Sequence, residues 1–358
     1  MSGGIILTMG FITAFFVVLL ATPSLIKVAK LKHLVDEPTE GRKLHTTSTP
    51  TIGGIIIFGA ILFAYALWFP DNYGHIEKAF TNFKFLVASL VLLFFVGVKD
   101  DIIGTAPMKK LLSHIIVAFI LVIMAEIRIK SMHGLFGIYE LQDWQSISLS
   151  VFTYVVIVNA INLIDGIDGL ASGVVFIAAS LMGIWFYMSL NVPLALLAFV
   201  LSGALAGFLV FNFSPARIFM GDSGSLTIGA IVSVLSISLV NQDTGNVPEI
   251  FSRVSMPIFV MAVLSYPLID TLRVFIYRAI KGVSPFSADK NHIHHKLLSM
   301  GLNHKKAVGL IYLYTISVTA VAVFLALESI TWSFIVALVS AAAMAAIPFI
   351  IKPKSIRD

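Results

Sequence analysis

The sequence has no cysteine and little charge, and both absences limit what the protein can be. Without cysteine among its 358 residues, a disulfide, a metal thiolate and a thiol nucleophile are all excluded. Asp, Glu, Lys and Arg make up 12% of the chain, against about 25% in a typical soluble domain. Hydrophobic residues make up 58%, and the mean hydropathy is +0.97. This composition indicates an integral membrane protein.

Eleven apolar stretches approach the ~20 residues that a transmembrane helix needs. The first has no basic segment before it and is followed by three lysines, so we expect a retained span and not a cleaved signal. The pattern predicts an all-α, polytopic integral membrane protein of about 11 transmembrane helices, forming a single transmembrane catalytic domain over residues 1–358. The stretches lie near 5–26, 50–69, 83–98, 110–127, 148–164, 170–189, 193–212, 225–241, 254–276, 307–326 and 331–350.

The distribution of Lys and Arg predicts the orientation, because these residues prefer cytoplasmic loops. With the N-terminus outside and the C-terminus in the cytoplasm, 18 of the 24 Lys and Arg residues fall inside. Five fall outside (Lys78, Lys84, Arg128, Lys130 and Arg253), and Arg273 lies at a helix end. Since the net charge of +5 follows this membrane rule, it does not indicate nucleic-acid binding.

The loops rich in Asp, Asn, His and Gly all fall on the cytoplasmic side, so we expect the active site there. The longest outside loop, 128–147, has no cluster of side chains that indicates a reactive site, so we expect it to form a small hairpin or cap. A transporter needs polar groups near the bilayer midplane, for which Asp270 is the main candidate, and no internal repeat is present. An enzyme at the cytoplasmic interface is therefore favoured. Its loops are 27–49, 99–109, 165–169, 213–224 and 277–306.

The segment NAINLIDGIDGLASG contains Asn159, Asn162, Asp165 and Asp168 at intervals of three. In a helix of about 3.6 residues per turn, the last three would share one broad face. Two acids beside a membrane-length apolar run are costly unless they face protein, water or a cation. The segment therefore indicates a functional site, the alternative being a solvated loop between spans.

The sequence GVKDD places Asp100 and Asp101 at a predicted membrane edge. Paired acids bind a divalent cation, or one acts as a base with a raised pKa. A surface turn explains one Asp more easily than two. Lys109 and Lys110 follow, and lysine suits phosphate as a point charge.

The loop FNFSPARIFMGDSGSLTIG has Asp222 and Ser223 where a helix N-cap is expected. Capping alone is one interpretation. The other is a phosphate-compound site, because Asn212, Arg217 and Phe219 supply an amide, a cation and an aromatic face beside a helix N-terminus.

The last inside loop contains His292, His294, His295 and His304. Zinc is disfavoured because no cysteine accompanies them and their spacing is not HExxH. Histidines and lysines beside an acidic face suit an anionic substrate better. Because hard oxygen ligands suit Mg²⁺ or Mn²⁺, the combined loops predict a metal-dependent reaction on a phosphate compound.

With these motifs, the chain resembles the polyprenyl-phosphate N-acetylhexosamine-1-phosphate transferases, glycosyltransferase family 4, from RKLHTTSTPTIGG to HIHHKLLSMGLNHKKAV. The resemblance implies transfer of a sugar 1-phosphate from a UDP-sugar to undecaprenyl phosphate, releasing UMP, in the bacterial inner membrane. It further implies Mg²⁺, with Mn²⁺ as an alternative, and the family's known members suggest a homodimer. Direct attack by the lipid phosphate is favoured over a covalent Asp intermediate.

By motif position, the resemblance also implies roles for individual residues. Asp222 corresponds to a Mg²⁺ ligand, and Asp165 and Asp168 lie in the segment linked to nucleotide and metal binding. Asp100 and Asp101 match a pair that holds or deprotonates the lipid phosphate. The expected catalytic residues are Asp100, Asp101, Asp165 and Asp168, and the expected metal ligands are Asp222 and Asp165. The expected substrate-binding residues are Asn162, Asn212, Phe219, His292, His294 and His295.

Two departures from the peptidoglycan translocase favour the undecaprenyl-phosphate N-acetylglucosamine-1-phosphate transferase branch. Ile293 interrupts the histidines, and the Lys that shortly precedes TPTMGG in the translocase is absent from TTSTPTIGG. A muramoyl-pentapeptide donor remains the alternative within the family. A lipid-linked-substrate transporter and a non-catalytic homologue are the alternatives outside it.

Overall fold

The computed structural model describes residues 2–32, 34–36, 49–70, 76–242, 253–283, 291–324, 327 and 329–350. These residues form thirteen α-helices, a π-helical segment (Ile120–Met124) that continues α4, and two short hairpins. The helices are α1 (Gly3–Leu31), α2 (Gly53–Leu67), α3 (Ile76–Ile103), α4 (Pro107–Phe119), α5 (Asp143–Ile164), α6 (Leu170–Met188), α7 (Val192–Asn212), α8 (Gly221–Val240), α9 (Met256–Val263), α10 (Ser265–Ile280), α11 (Ile293–Ser299), α12 (His304–Phe324) and α13 (Ile330–Ile350).

The helices agree with a polytopic all-α membrane protein. Each of the eleven predicted stretches falls on a helix or, for 254–276, on the pair α9 and α10. Among the described residues, eight helices are long and apolar enough to cross a membrane, and the bent pair would make a ninth. At 15 residues, α2 is shorter than a usual span. The fold class is confirmed, whereas the number of spans and their orientation stay predictions.

The stretch predicted as one span at 254–276 is broken between α9 and α10, whose axes differ by 74°. Pro267 stands in the first turn of α10. Proline has no N–H and its ring clashes with the carbonyl four residues earlier, so a straight helix cannot pass through this point. The break lies at Leu264, which is buried, near the middle of the stretch.

The loop at 128–147, predicted to lie outside, forms the expected hairpin. Strands β3 (Ser131–Leu135) and β4 (Ile138–Glu140) pair antiparallel immediately before α5. A second, shorter pair joins β1 (Val35–Asp36) to β2 (Thr49–Pro50) at the entrance of α2. Residues 37–48, which include most of the first predicted site loop, lie outside the described residues, as do 284–290.

Helix α8 is the most enclosed of the candidate spans. Apart from Gly221, Asp222 and Ser238 its residues are buried, and it packs against α2, α3, α5, α6 and α9. Small residues make this possible, because Gly224 meets Gly54 and Gly229 meets Val158 without an intervening side chain. The N-terminus of α8 therefore lies within a ring of helix ends.

The topology can be tested by labelling single cysteines introduced into this cysteine-free chain. Helix α5 has 22 residues, so about 33 Å separates the hairpin at its start from Asp165 at its end. With the N-terminus outside, a membrane-impermeant maleimide should label Tyr139→Cys in intact cells. Lys109→Cys should react only after the membrane is permeabilised. Reaction of Lys109→Cys alone in intact cells would reverse the predicted orientation.

Candidate active site

The site is centred on Asp222, in the first turn of α8. One carboxylate oxygen accepts a hydrogen bond from Asn162 Nδ2 at 2.7 Å. The other forms an ion pair with the ammonium group of Lys110. Lys110 Nζ also lies 3.0 Å from Asp100 Oδ2, and Asn162 donates a further hydrogen bond to Ser225 Oγ at 2.9 Å. The ends of α3, α4, α5 and α8 thus converge on one acidic cluster.

Asp100 and Asp101 are helical and not part of a loop, because α3 continues to Ile103. The two carboxylates have different neighbours. Asp100 faces Lys110, whereas Asp101 accepts the backbone N–H groups of Asp222 at 2.6 Å and Ser223 at 3.0 Å. Asp101 therefore caps the N-terminus of α8 from another helix.

The N-cap expected at Asp222 or Ser223 was wrong. Helix α8 begins at Gly221, and the residue before it, Met220, makes no side-chain capping hydrogen bond. Asp222 and Ser223 have side chains that could cap a helix, but α8 starts at Gly221, so both residues lie inside its first turn and not before it. A carboxylate on α3 supplies the missing acceptor.

Glycines bring these helix ends together. A Cβ on Gly97 would overlap the backbone at Ser223, and one on Gly54 would overlap the backbone of Gly224. Backbone hydrogen bonds also connect the start of α2 to the loop that precedes α8. They run from Gly53 N–H to Phe219 O at 3.0 Å and from Gly54 N–H to Met220 O at 2.8 Å. The close approach fixes the start of α8 against α2 and α3.

The cluster carries more negative charge than its neighbouring lysine can neutralise. Asp165 is the C-cap residue of α5, and burial, aided by the charges of Asp222 and Asp101, raises its pKa to about 7. Burial is also the main cause of the raised pKa of Asp100 and of Asp101. Crowded oxygen ligands of this kind favour a hard divalent cation. A magnesium ion held by Asp165 and Asp222 stays a prediction.

Asp168 lies apart from this cluster, so the predicted common face of Asn162, Asp165 and Asp168 was wrong. Helix α5 ends at Ile164, and Gly169 has φ of +78° in the turn that follows. Asp168 Oδ2 instead accepts the N–H of Ala216 at 3.1 Å and lies 3.6 Å from His304 Nδ1. Asp168 connects the 165–169 turn to the start of α12.

Asn212 is buried and its amide is used by the protein. Its Oδ1 accepts hydrogen bonds from Gly169 N–H at 3.2 Å and Ser172 Oγ at 2.7 Å, and its Nδ2 donates to Ile218 O at 3.0 Å. Phe219 is half-buried, and its N–H donates to Pro50 O at 2.8 Å. The role of both residues in binding the substrate stays a prediction.

The histidine motif is anchored by Asp270, a contact that the sequence reasoning missed. His292 Nδ1 lies 2.7 Å from Asp270 Oδ2, and the Ile293 N–H donates to Asp270 Oδ1 at 2.8 Å. Arg273 lies 3.5 Å from the same Oδ1. Asp270, the main candidate for a transport function, is therefore fully buried and occupied by protein donors. His292, the N-cap residue of α11, is 22 residues later in the chain, so no local sequence pattern predicts that Asp270 contacts it.

His294 joins this motif to the acidic turn. Its Nδ1 lies 3.3 Å from Tyr266 Oη, and its buried Nε2 would lie 2.8 Å from a Cβ on Gly166. Burial, aided by the neighbouring His295, lowers the pKa of His294 to about 3, so the ring is neutral at pH 7. Glycine at position 166 thus allows the histidine helix to pack on the turn that holds Asp165.

Asp270, His292 and His294 could also be considered as a metal site, because a ligand atom of each lies within 4.8 Å of the others. Both oxygens of Asp270 already accept hydrogen bonds from the protein, and the Arg273 guanidinium stands beside them. A cation here would meet a positive charge and displace these donors. We therefore interpret the group as an anchor for the histidine motif.

Comparison with known proteins is consistent with this arrangement. A model of a family described as glycosyl transferase family 4 matches residues 83–240, from within α3 to the end of α8. The chain is 32% identical to a decaprenyl-phosphate N-acetylglucosaminephosphotransferase of Mycobacterium leprae, over 85% of this chain and 79% of the relative.

Two further relatives carry related names. The identity is 33% to a probable undecaprenyl-phosphate N-acetylglucosaminyl 1-phosphate transferase of Bacillus subtilis, over 88% of this chain and 84% of the relative. It is 30% to an undecaprenyl-phosphate alpha-N-acetylglucosaminyl 1-phosphate transferase of Yersinia pestis, over 80% of this chain and 75% of the relative.

The helical fold, the polar cluster at the helix ends and these relatives define a multi-pass membrane enzyme that is a transferase. The chain belongs to glycosyl transferase family 4, among the polyprenyl-phosphate N-acetylhexosamine-1-phosphate transferases. The family predicted from the sequence motifs is thereby confirmed.

The close packing at Gly54 can be tested with a matched pair of substitutions on α2. Gly54→Ala should destabilise the protein by about 1–3 kcal/mol, because its Cβ would overlap the backbone of Gly224. Gly59→Ala, with nothing within 4 Å of its Cβ, should be neutral or stabilising by up to about 1 kcal/mol. Thermal unfolding in detergent measures both. Equal melting temperatures for the two variants would contradict the packing.

The raised pKa of Asp165 predicts a pH dependence of stability in the absence of divalent cations. Because the folded pKa, about 7, lies well above the usual value of 3.8, the stabilising contribution is complete below pH 4, is lost progressively as pH rises from 4 to 7, and does not change further above that. The melting temperature of the wild type in EDTA should therefore fall relative to that of Asp165→Asn between pH 5 and pH 7.5, with little further change at higher pH. Asp143→Asn, at the other end of α5, should follow the wild type. Parallel curves for the wild type and Asp165→Asn would contradict the raised pKa.

Proposed function

We propose that this protein transfers N-acetylglucosamine 1-phosphate, or a related N-acetylhexosamine 1-phosphate, from a UDP-sugar to undecaprenyl phosphate and releases UMP. The observation that carries the proposal is the convergence of Asp100, Lys110, Asn162 and Asp222 at one set of helix ends. A cation and several carboxylates beside membrane-spanning helices suit a reaction between a charged nucleotide sugar and a lipid phosphate. The names of these three relatives, each an N-acetylglucosamine phosphotransferase or 1-phosphate transferase for a polyprenyl phosphate, support the same reaction.

Asp222 and Asp165 would hold Mg²⁺, with Mn²⁺ as an alternative. The fit rests on the excess of carboxylates and on the position of Lys110, whose ammonium group already bridges Asp100 and Asp222. When bound, the ion would neutralise charge on the phosphates and on the departing UMP.

The residues of the chain would position two anions that repel each other. Phosphoryl transfer depends on in-line positioning and charge neutralisation more than on covalent chemistry. Lys110 would attract a phosphate group as a point charge, and Asn162 holds Asp222 in place through the 2.7 Å hydrogen bond. Asp100, next to Lys110, would hold or deprotonate the lipid phosphate.

We favour direct attack by an oxygen of the lipid phosphate on the phosphorus that carries the sugar. A new P–O bond forms there, and the P–O bond to the bridging oxygen breaks, so that UMP leaves with the electron pair. A covalent aspartyl intermediate is the alternative. Direct attack is simpler because an ionised phosphate is already an adequate nucleophile.

The donor sugar and the cellular setting are also part of the proposal. The HIHH motif and the relatives' names favour N-acetylglucosamine over a muramoyl-pentapeptide donor. The reaction would initiate a cell-envelope polysaccharide at the cytoplasmic face of the bacterial inner membrane. Transport of a lipid-linked substrate has less support because Asp270 is occupied by protein donors.

The test is a radiolabelled-donor assay with purified protein, undecaprenyl phosphate and Mg²⁺, comparing UDP-N-acetylglucosamine with other UDP-N-acetylhexosamines. With UDP-N-acetylglucosamine as the donor, we expect a labelled lipid and UMP in equal amounts. Asp222→Ala should lose at least about 100-fold in turnover while remaining folded, because one metal-binding carboxylate is removed. Asp143→Asn, which changes an exposed acid paired with Arg128 near the hairpin, is the matched control.

No labelled lipid from any donor, with folded protein and either Mg²⁺ or Mn²⁺, would contradict the proposed reaction. Full activity of Asp222→Ala would remove that residue from the metal site. Product from the muramoyl-pentapeptide donor alone would support the alternative within the family.

A further inference from the structure

Asp100 and Asp101 are adjacent in the sequence but cannot share a role. Successive residues of a helix point about 100° apart, so two neighbouring carboxylates on α3 face different groups. Asp100 Oδ2 lies 3.0 Å from Lys110 Nζ, at the centre of the candidate site. Asp101 directs both of its oxygens at the backbone of α8.

Both oxygens of Asp101 are occupied by the first turn of α8. Oδ1 accepts the N–H of Asp222 at 2.6 Å, and Oδ2 accepts the N–H of Ser223 at 3.0 Å. The first N–H groups of a helix have no partner within the helix, and a negative charge there is favourable. Since Met220 provides no side-chain cap, Asp101 does for α8 what an N-cap side chain does elsewhere.

The surrounding glycines are arranged for this contact. Gly221 has φ of +70°, and a Cβ at this position would lie 2.8 Å from both carboxylate oxygens of Asp101. Gly97, one helical turn before Asp101, packs directly against the backbone at Ser223. The same face of α3 therefore holds the start of α8 by packing and by hydrogen bonding.

The capped residue is the one at the centre of the site. The N–H that Asp101 accepts at 2.6 Å belongs to Asp222 itself, so this contact fixes the backbone from which the Asp222 side chain extends. Partners that orient a metal-binding side chain commonly change metal affinity by about 10- to 100-fold when they are removed.

We propose that Asp101 is a positioning residue that orients Asp222 by capping α8, and that Asp100 is the member of the pair that faces the reacting phosphates. The assignment rests on the proposed function for the role of Asp222. It divides a pair of acids that the motif alone treats as equivalent.

The experiment compares Asp101→Ala, Asp101→Asn and Asp100→Asn in the full-length protein. Hydrogen exchange of the peptide containing residues 218–226 should be faster in Asp101→Ala and intermediate in Asp101→Asn, which keeps one acceptor oxygen. Asp100→Asn should leave this exchange unchanged. Mn²⁺ binding, measured by electron paramagnetic resonance, should weaken by about 10- to 100-fold in Asp101→Ala and less in Asp101→Asn.

Activity gives a further distinction. Asp101→Asn should retain a substantial part of kcat, because the asparagine oxygen can still accept one of the two hydrogen bonds from α8. Asp100→Asn should lose kcat without loss of thermal stability. Equal loss of kcat in Asp101→Asn and Asp101→Ala, with unchanged exchange and Mn²⁺ binding, would overturn the proposal and return Asp101 to a direct catalytic role. If Asp101→Ala does not fold, Asp101→Asn against Asp100→Asn decides by the same exchange measurement. Inactivity of the wild type with every donor would contradict the proposed function, while the exchange measurement would still test the cap.

Discussion

The docking of the N-terminus of α8 against α2 and α3 is the constraint on which the rest of the site depends. Glycines at positions 54, 97 and 224 allow helix backbones to meet where side chains would keep them apart. Within an apolar environment, helices gain little from hydrophobic burial, so close packing and hydrogen bonds hold them together. The Asp101 carboxylate adds such hydrogen bonds at the helix terminus. The same contacts that assemble the bundle therefore place Asp222.

This assembly concentrates negative charge, and the charge explains the character of the site. The ammonium group of Lys110 pairs with Asp100 and Asp222, and burial raises the pKa of the three carboxyls near Asp222, namely Asp100, Asp101 and Asp165. Such a site costs stability in the absence of a cation. In an enzyme that acts on a phosphate compound, a cation bound together with the anionic substrate would reduce the repulsion among the carboxylates and so restore this stability.

Much of the fold and the identity of the site followed from local sequence patterns. Apolar runs located every helix of the described residues except α11, although 254–276 was predicted as one helix and is two, and the sequences GVKDD, NLIDGIDGLASG and IFMGDSGSL identified the family. The extents of the helices were less accurate, since α3 continues through Asp101 and α8 starts before Asp222. Periodicity grouped Asp168 with Asp165 on one helix face, although the helix ends at Ile164 and both acids lie in the turn that follows. Asp270 was identified as polar within a span, but its partner His292 could not be found from spacing.

By itself, the sequence determined that this is a helical membrane protein of a particular transferase family, because composition and short motifs are local properties. Only the tertiary structure decided which acids meet. Asp101 and Asp222 are 121 residues apart, and Lys110 and Asp222 are 112 residues apart, so their contacts depend on how the helices pack. Packing also separated the two neighbouring aspartates on α3, because a helix turns consecutive side chains towards different partners.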